Sequence, residues 1–259
     1  MKFYIDSTRY FAREEENGAL SLINRETNSV QFLNRSARRL LDACDVWTDF
    51  DEFIDRKQYR NVPRERVYGD FLLLLYELDS MGLAELKEVP EKMREGVSRG
   101  VAEDYAELSA FLQKNISGAN TCGIASNPGY YGKEPMFSRL RGNATPYLMY
   151  CRDGKILCAL EFSTNQLLMS SAAITLQSVI ADGSLTEEEL ADAVKKILDA
   201  AADTFCAAFR KIRYGYMHPR QEAFCKILLS CGFEKTATLE KELRNGQSLI
   251  LYDRFIGKD

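Results

Sequence analysis

The sequence predicts an α+β protein in two parts: a small winged-helix-like domain, followed by a mixed sheet with flanking helices. At 259 residues, the chain is long enough for two domains of ordinary size. A charged segment, Lys87–Gly100, holds a proline and two glycines and lacks apolar periodicity. Apolar strand and helix patterns resume on either side of it. We therefore expect domains at residues 1–88 and 103–259, joined by a linker at 89–102.

Composition and charge exclude several classes of function. The net charge of -4 disfavours a broad nucleic-acid surface, which needs clustered Lys and Arg. The apolar runs, such as Phe71–Tyr76, are too short to span a bilayer, and the start of the chain does not resemble a signal peptide. There are seven scattered cysteines, no Cys-x-x-Cys pair and a single histidine, which argues against a metal site. We expect a cytoplasmic protein with reduced, mostly buried thiols.

The first 86 residues show strands followed by helices. Ala19–Asn24 and Ser29–Leu33 have strand patterns separated by a polar turn. Asn34 stands where it can cap a helix through Cys44. Further helices are expected after Thr48 or Asp49 and after Pro63, the latter ending at Gly82, with a closing strand at Leu83–Leu86.

This order resembles the PqqD-like domains, also called RiPP recognition elements. The resemblance rests on Leu33-Asn34 followed by Ala37-x-x-Leu40-Leu41, on an acidic second helix, and on Leu78-Asp79-Ser80-Met81-Gly82-Leu83. It implies that the leader of a ribosomal peptide adds a strand to a sheet edge and packs along the last helix. The edge would be Ser29–Leu33 and the groove Arg64–Leu78. The residues implied to bind the peptide are Val30, Phe32, Leu33, Val67 and Phe71. The alternative is a winged helix that only docks on its neighbour or forms a homodimer.

The second half alternates strands and helices. A helix is expected at Glu103–Asn115, and Gly118–Gly142 is expected to be long and irregular. Asp153-Gly154 between two apolar runs predicts a hairpin. The remaining expected elements are a strand at Ala172–Ile180, a helix capped by Thr186 and Glu189, a strand at Ile212–Met217, a helix at Gln221–Cys231, and a hairpin of Lys235–Leu243 with Ser248–Phe255.

This order resembles the GNAT acyltransferase family over residues 103–258. The strand Ile212–Met217, followed by a helix ending Leu228-Leu229-Ser230-Cys231-Gly232-Phe233, carries the likeness. It implies acyl transfer from acetyl-CoA or another acyl-CoA to an amine. The pantetheine arm would pair with Gln177, Ser178, Val179 and Ile180 where two strands separate. The pyrophosphate would lie on amides before the next helix, near Gly183 and Ser184.

The sequence departs from that family at two positions. Where a Gly-rich phosphate loop is expected, it has Ala181-Asp182-Gly183-Ser184-Leu185-Thr186 followed by three glutamates. These carboxylates would repel a pyrophosphate by about 1 kcal/mol each when exposed. They also have an ordinary role, because acidic residues in a first turn stabilise a helix.

The second departure concerns acid–base chemistry, because the usual strand glutamate is Gln177 and the usual helix tyrosine is Leu228. An acyl transfer to an amine needs a base and an acid. The substitutes that the sequence offers are Glu161, Tyr214, Tyr216 and His218. Each also has a structural alternative: Glu161 as a solvated strand residue, Tyr214 and Tyr216 as core residues, and His218 as a loop residue.

Three functions therefore remain open. The first is an N-acyltransferase that a recognition domain delivers to a precursor peptide. The second is a GNAT-like fold that has lost coenzyme A and holds peptides or acts as a scaffold. The third, a DNA-binding regulator, has only Arg35, Arg38 and Arg39 in its favour and ranks last.

Overall fold

The computed structural model describes residues 1–56, 62–90, 92–116, 120–121, 127–142, 145–164, 172–216, 221–243 and 245–256. The chain forms two compact units, Met1–Lys92 and Met93–Asp259. Each unit has its own cluster of buried apolar side chains. Within the described ranges, no helix combines the length and the apolar content needed to cross a bilayer.

The N-terminal unit contains two antiparallel sheets of three strands, in the orders β2-β3-β4 and β5-β1-β6. Helix α2 is the longest element and supplies much of the core through Phe71, Leu75 and Leu78. The elements are β1 (Lys2–Ile5), β2 (Tyr10–Glu14), β3 (Leu20–Asn24), β4 (Val30–Leu33), a 3-10 helix (Ala37–Ala43), β5 (Thr48–Asp49), α1 (Phe50–Arg56), α2 (Arg64–Ser80) and β6 (Ala84–Lys87).

Most of the predicted elements of this unit are present, with one change of type. Asn34 caps the following segment as expected, since its Oδ1 accepts the N–H groups of Ser36 and Ala37 at 3.0 and 2.8 Å. That segment is a 3-10 helix rather than an α-helix. Asp49 is the residue that caps α1, through the N–H of Glu52 at 3.1 Å. Strands β1 and β2 had no prediction, because segments of four and five residues are too short for a periodic pattern to stand out.

The C-terminal unit is a mixed sheet in the order β13-β14-β12-β11-β10-β9-β7, with a short strand β8 paired to β11. The only parallel pair in that order joins β11 and β12. The elements are β7 (Gly96–Arg99), α3 (Tyr105–Asn115), β8 (Asn120–Thr121), α4 (Lys133–Gly142), β9 (Tyr147–Arg152), β10 (Lys155–Ser163), β11 (Ala173–Ala181), α5 (Glu187–Phe205), β12 (Lys211–Tyr216), α6 (Glu222–Ser230), β13 (Glu234–Leu239) and β14 (Leu249–Phe255).

Two expectations for this unit are corrected. The linker predicted at 89–102 contains β7, which pairs with β9 because Val97 packs against the core at the sheet edge. The segment predicted to be irregular up to Gly142 contains α4. Its buried Met136, Phe137 and Leu140 have a helical spacing that the surrounding glycines and tyrosines obscured.

Helices cover both faces of the sheet. Leu160 and Phe162 of β10 share a core cluster with Val194 and Leu198 of α5, and this cluster also contains residues of α6. The residue between them, Glu161, projects from the other face, because successive strand side chains alternate. Helices α3 and α4 contact each other, and α3 also contacts β10 and β11.

Candidate functional site

Strands β11 and β12 separate after a short parallel pairing. The paired residues are Ala173–Thr175 with Lys211–Arg213. Strand β11 then continues to Ala181 and β12 to Tyr216 without further pairing to each other. The separation leaves one edge of β11 free of β12 over the second half of the strand.

A β-bulge lies in β11 at this separation. Phe162 pairs with Leu176 and Glu161 pairs with Ser178, so Gln177 is the extra residue. The bulge re-aims the strand and places Ser178 directly beside Glu161. A buried carboxylate and a local break in strand pairing therefore coincide.

Glu161 is fully buried and is held by three hydroxyl groups. Tyr130 donates to its Oε1 at 2.5 Å, and Ser178 donates to its Oε2 at 3.0 Å. Tyr131 approaches Oε2 at 3.4 Å. Among the described residues, the groups that donate to Glu161 are neutral hydroxyls. A buried carboxylate without a paired cation is costly, and such groups concentrate at functional sites.

The environment keeps the tyrosines around Glu161 protonated. Burial, and then the charge of Glu161, raises the pKa of Tyr130, Tyr131 and Tyr147 well above the ordinary value. Tyr130 is partly exposed, and the guanidinium of Arg139 lies 3.7 Å from the centre of its ring. Tyr147 is fully buried, and its hydroxyl has no hydrogen-bond partner among the described residues. A polar group of a substrate could satisfy that hydroxyl.

Of the predicted catalytic residues that the structure describes, Glu161 lies in this cluster and Tyr214 does not. Tyr214 lies on the opposite face of the sheet, 5.6 Å from the ring of Phe224, inside the apolar core. It packs there because its strand position alternates with Arg213. The side chain of Tyr216 and the whole of His218 lie outside the described residues. Sequence reasoning did not single out Tyr130, although two adjacent tyrosines in a Gly-rich and Asn-rich stretch were a signal.

The residues predicted to bind the cofactor lie on β11 and in the turn before α5. Val179 and Ile180 are buried strand residues of β11, and the hydroxyl of Ser178 donates a hydrogen bond to Glu161. Gly183 and Ser184 precede α5. The hydrogen bonds and charges around Gly183 and Ser184 show how well this turn could bind the diphosphate of coenzyme A.

The N-terminus of α5 is closed by its own chain. Thr186 and Glu189 form a capping box, in which the Glu189 carboxylate accepts the N–H of Thr186 at 3.0 Å and the Thr186 hydroxyl accepts the N–H of Glu189 at 3.2 Å. Asp182 accepts the N–H groups of Ser184, through Oδ1 at 3.0 Å, and of Leu185, through its carbonyl at 3.2 Å. The N–H groups of Ser184, Leu185, Thr186 and Glu189 are therefore already bonded within the chain.

Local charge also opposes an anion at this position. The hydrogen bonds from Ser184 lower the pKa of Asp182, and those from Thr186 lower the pKa of Glu189, so both carboxyls are ionised at neutral pH. Glu187 and Glu188 add two more exposed carboxyls. Lys114, 3.6 Å from Asp182, and Arg152, 3.4 Å from Glu189, offset only part of this charge. The net negative charge of this helix N-terminus therefore disfavours the diphosphate of coenzyme A. Across the described ranges, no cluster of metal-ligating side chains is present either.

The residues predicted to bind a peptide divide into two groups. Leu33, Val67 and Phe71 are buried in the core of the N-terminal unit, because they face inward from β4 and α2. Val30 and Phe32 point outward from β4 and are 45% and 68% exposed. Among the described residues, β4 pairs only with β3, so its second edge is open.

The element order of the C-terminal unit, with its separated parallel pair, is that of the GNAT-like fold predicted from the sequence. No family model and no curated protein matches the chain. Solved structures do resemble part of it. A ribosomal-protein-S5-alanine acetyltransferase from Vibrio fischeri is 18% identical, with 65% of this chain and 97% of that chain covered and a TM-score of 0.48. An N-acetyltransferase from Staphylococcus aureus is 15% identical, with 63% and 99% covered and a TM-score of 0.48. An aminoglycoside 6'-N-acetyltransferase from Enterococcus faecium is 8% identical, with 63% and 98% covered and a TM-score of 0.48.

Proposed function

We propose that the protein is an N-acyltransferase that acts on an amine, with Glu161 as the group that accepts the amine proton. One observation carries the proposal: a fully buried carboxylate lies beside the bulge in β11 and is hydrogen-bonded by Tyr130, which is partly exposed. An amine is protonated at neutral pH and must lose a proton before it can attack an acyl group.

Tyr130 connects the buried carboxylate of Glu161 to solvent. Its hydroxyl donates to Glu161, and its oxygen keeps a lone pair for a second hydrogen bond. The proton of the amine can pass to the Tyr130 oxygen while the Tyr130 proton passes to Glu161. Because burial and the Glu161 charge raise its pKa, Tyr130 remains a donor throughout the physiological range. The acyl donor that the resemblance implies is acetyl-CoA, but the capping box and the carboxylates at the N-terminus of α5 oppose binding of its diphosphate there.

The acceptor that we propose is a peptide, recognised by the N-terminal unit. An open edge strand with outward Val30 and Phe32 suits an extended peptide, whose main chain adds to the sheet while its side chains contact the apolar surface. The implied partner is the precursor of a ribosomally made peptide in the cytoplasm. Tethering such a peptide would raise its effective concentration at an acyl-transfer site, so a weak acceptor could still react.

A second function is favoured by a specific observation. The amides before α5 are bonded internally and flanked by carboxylates, an arrangement that opposes coenzyme A. The second function is therefore a peptide-holding protein that transfers no acyl group.

An acyl-transfer assay with substitutions at Glu161 separates the two functions. The purified protein is incubated with acetyl-CoA and a panel of peptide and small amines, and the free thiol is followed. We expect transfer with at least one amine, and a loss of kcat/KM of at least about 100-fold in E161Q, the range for a lost general base. Y130F should lose less, because water can replace a hydroxyl in a proton path.

The matched control is E234Q, which changes an exposed strand glutamate on β13. Its activity should stay within about twofold of the unsubstituted protein. Thermal unfolding of each variant checks that E161Q is folded. No acyl transfer to any amine by the unsubstituted protein would contradict the proposal in favour of the peptide-holding function, and full activity of folded E161Q would remove Glu161 from the mechanism.

A further inference from the structure

The short strand β8 lies in the gap between β11 and β12. Ser178 and Val179 of β11 pair with Thr121 and Asn120, antiparallel. The same two residues of β11 pair with Glu161 and Leu160 of β10. A strand has two edges, so β8 occupies the edge that faces away from β10. That is the edge to which β12 pairs earlier in β11, at Ala173–Thr175.

The chain therefore uses for itself the hydrogen-bonding edge that the separation of the two strands exposes. This is the stretch, Gln177–Ile180, at which the sequence resemblance implies pantetheine pairing. Pantetheine amides and a peptide main chain bond to a strand edge through the same N–H and C=O groups, so they exclude each other.

The capped N-terminus of α5 is an independent observation in the same direction. The amides of Ser184, Leu185 and Thr186 already have acceptors within the chain. The strand edge at Ser178–Val179 and the loop amides before α5 are thus both bonded within the chain.

We propose that residues Asn120–Thr121 hold the C-terminal unit in a self-occluded state, in which β8 takes the place of the pantetheine arm on β11. An acyl-pantetheine donor binds only when this segment leaves the edge. The inference rests on the proposed acyltransferase function. Its test measures acetyl-CoA binding and strand pairing, and neither measurement needs catalysis.

The test compares two double variants of the full chain. In N120P/T121P neither residue has an N–H group, so whichever amide bonds to β11 is lost and the strand geometry is disfavoured. In N120A/T121A both amides remain, and this is the matched control. Binding of acetyl-CoA is measured by calorimetry up to millimolar ligand. We expect the proline variant to bind at least tenfold more tightly than the unsubstituted protein, and the alanine variant to match the unsubstituted protein.

Hydrogen exchange supplies the second measurement. Without ligand, amides in a fragment covering Leu176–Ile180 should exchange faster in N120P/T121P than in the other two proteins, because β8 no longer protects that edge. Equal exchange of these amides in all three proteins would show that β8 does not pair with β11. Equal acetyl-CoA affinity in all three, or no binding in any, would overturn the occlusion. A failure of acyl transfer with the binding difference intact would count against the proposed function and leave the occlusion standing.

Discussion

The carboxylates of Glu161 and Asp253 are both fully buried in the C-terminal unit, and their neighbours differ in kind. Glu161 is surrounded by hydroxyl groups. Asp253 on β14 is held by cations: Lys211 donates to it at 2.6 Å, and Arg213 donates to its two oxygens at 2.8 and 2.9 Å. A carboxylate paired to cations across neighbouring strands has a structural role, whereas Glu161 is bonded, among the described residues, to neutral hydroxyls alone. This contrast is our reason for assigning chemistry to Glu161.

Replacing Asp253 by Asn should destabilise the C-terminal unit in a pH-dependent way. Removing one partner of a buried ion pair costs several kcal/mol; because Lys211 and Arg213 are 23% and 31% exposed, we expect about 2 kcal/mol at pH 7. Burial alone would raise the pKa of Asp253, but the hydrogen bonds from Arg213 and Lys211 outweigh it and lower the pKa below 3.8.

The sign of the pH effect follows from that lowered pKa. The stabilisation is fully present above the unfolded-state pKa near 3.8, and it is lost as the pH falls through the folded-state value. Urea unfolding at pH 7 and near pH 3 should therefore show a smaller difference between D253N and the unsubstituted protein at the lower pH. D192N, which breaks the exposed pair of Asp192 with Lys196, should change stability by less than about 1 kcal/mol at both pH values. If the difference in unfolding free energy between D253N and the unsubstituted protein is the same at both pH values, the ion pair of Asp253 with Lys211 and Arg213 is not its source.

At the scale of elements, turns and helix starts that depend on neighbouring residues were predicted correctly from the sequence. The hairpin β9–β10 turns at Asp153 and Gly154 with φ of 53° and 73°, which is the conformation that Asp-Gly favours. The helix α5 begins at its capping box. Strand β7 and helix α4 were missed, because their sequences carry charge, glycine or proline and their form depends on partners distant in the chain. Glu161 lies in a predicted strand and could be chosen from the sequence, whereas its contact with Tyr130, 31 residues away, depends on how distant segments of the chain fold together.

The edge strand β4 makes a prediction about recognition. F32D places a charge on the outward face of the strand, where peptide side chains would pack, without entering the core. Candidate leader peptides carrying a fluorescent label should bind F32D at least tenfold more weakly in an anisotropy titration, because the apolar contact is lost and a charge is desolvated. The control is F11D. Phe11 is 55% exposed on the same face, but it lies on β2 at the other side of the sheet.

F11D should bind the peptide within about twofold of the unsubstituted protein. A loss of the same size in both variants would show that charge on the whole face matters rather than the β4 edge. No loss in F32D would remove β4 from the proposed peptide site.

On the scale of the whole molecule, two separate cores divide the chain. Leu22 is fully buried among the side chains of Met1–Lys92, and Leu160 is fully buried among those of Met93–Asp259. The boundary falls inside the charged segment that first suggested two domains. A unit with its own packed core can unfold cooperatively by itself.

The single tryptophan makes this division measurable. Trp47 belongs to the N-terminal unit, where its ring lies 5.5 Å from Tyr4 and 3.9 Å from the ammonium of Lys87, so its fluorescence reports that unit. Leu-to-Ala changes in a core cost about 2–5 kcal/mol. In urea unfolding, L22A should lower the midpoint of the Trp47 signal, and L160A should leave that midpoint unchanged while lowering the midpoint of the circular dichroism signal. Because each substitution removes contacts from only one core, equal shifts of the Trp47 midpoint in both variants would mean that the two units unfold as one.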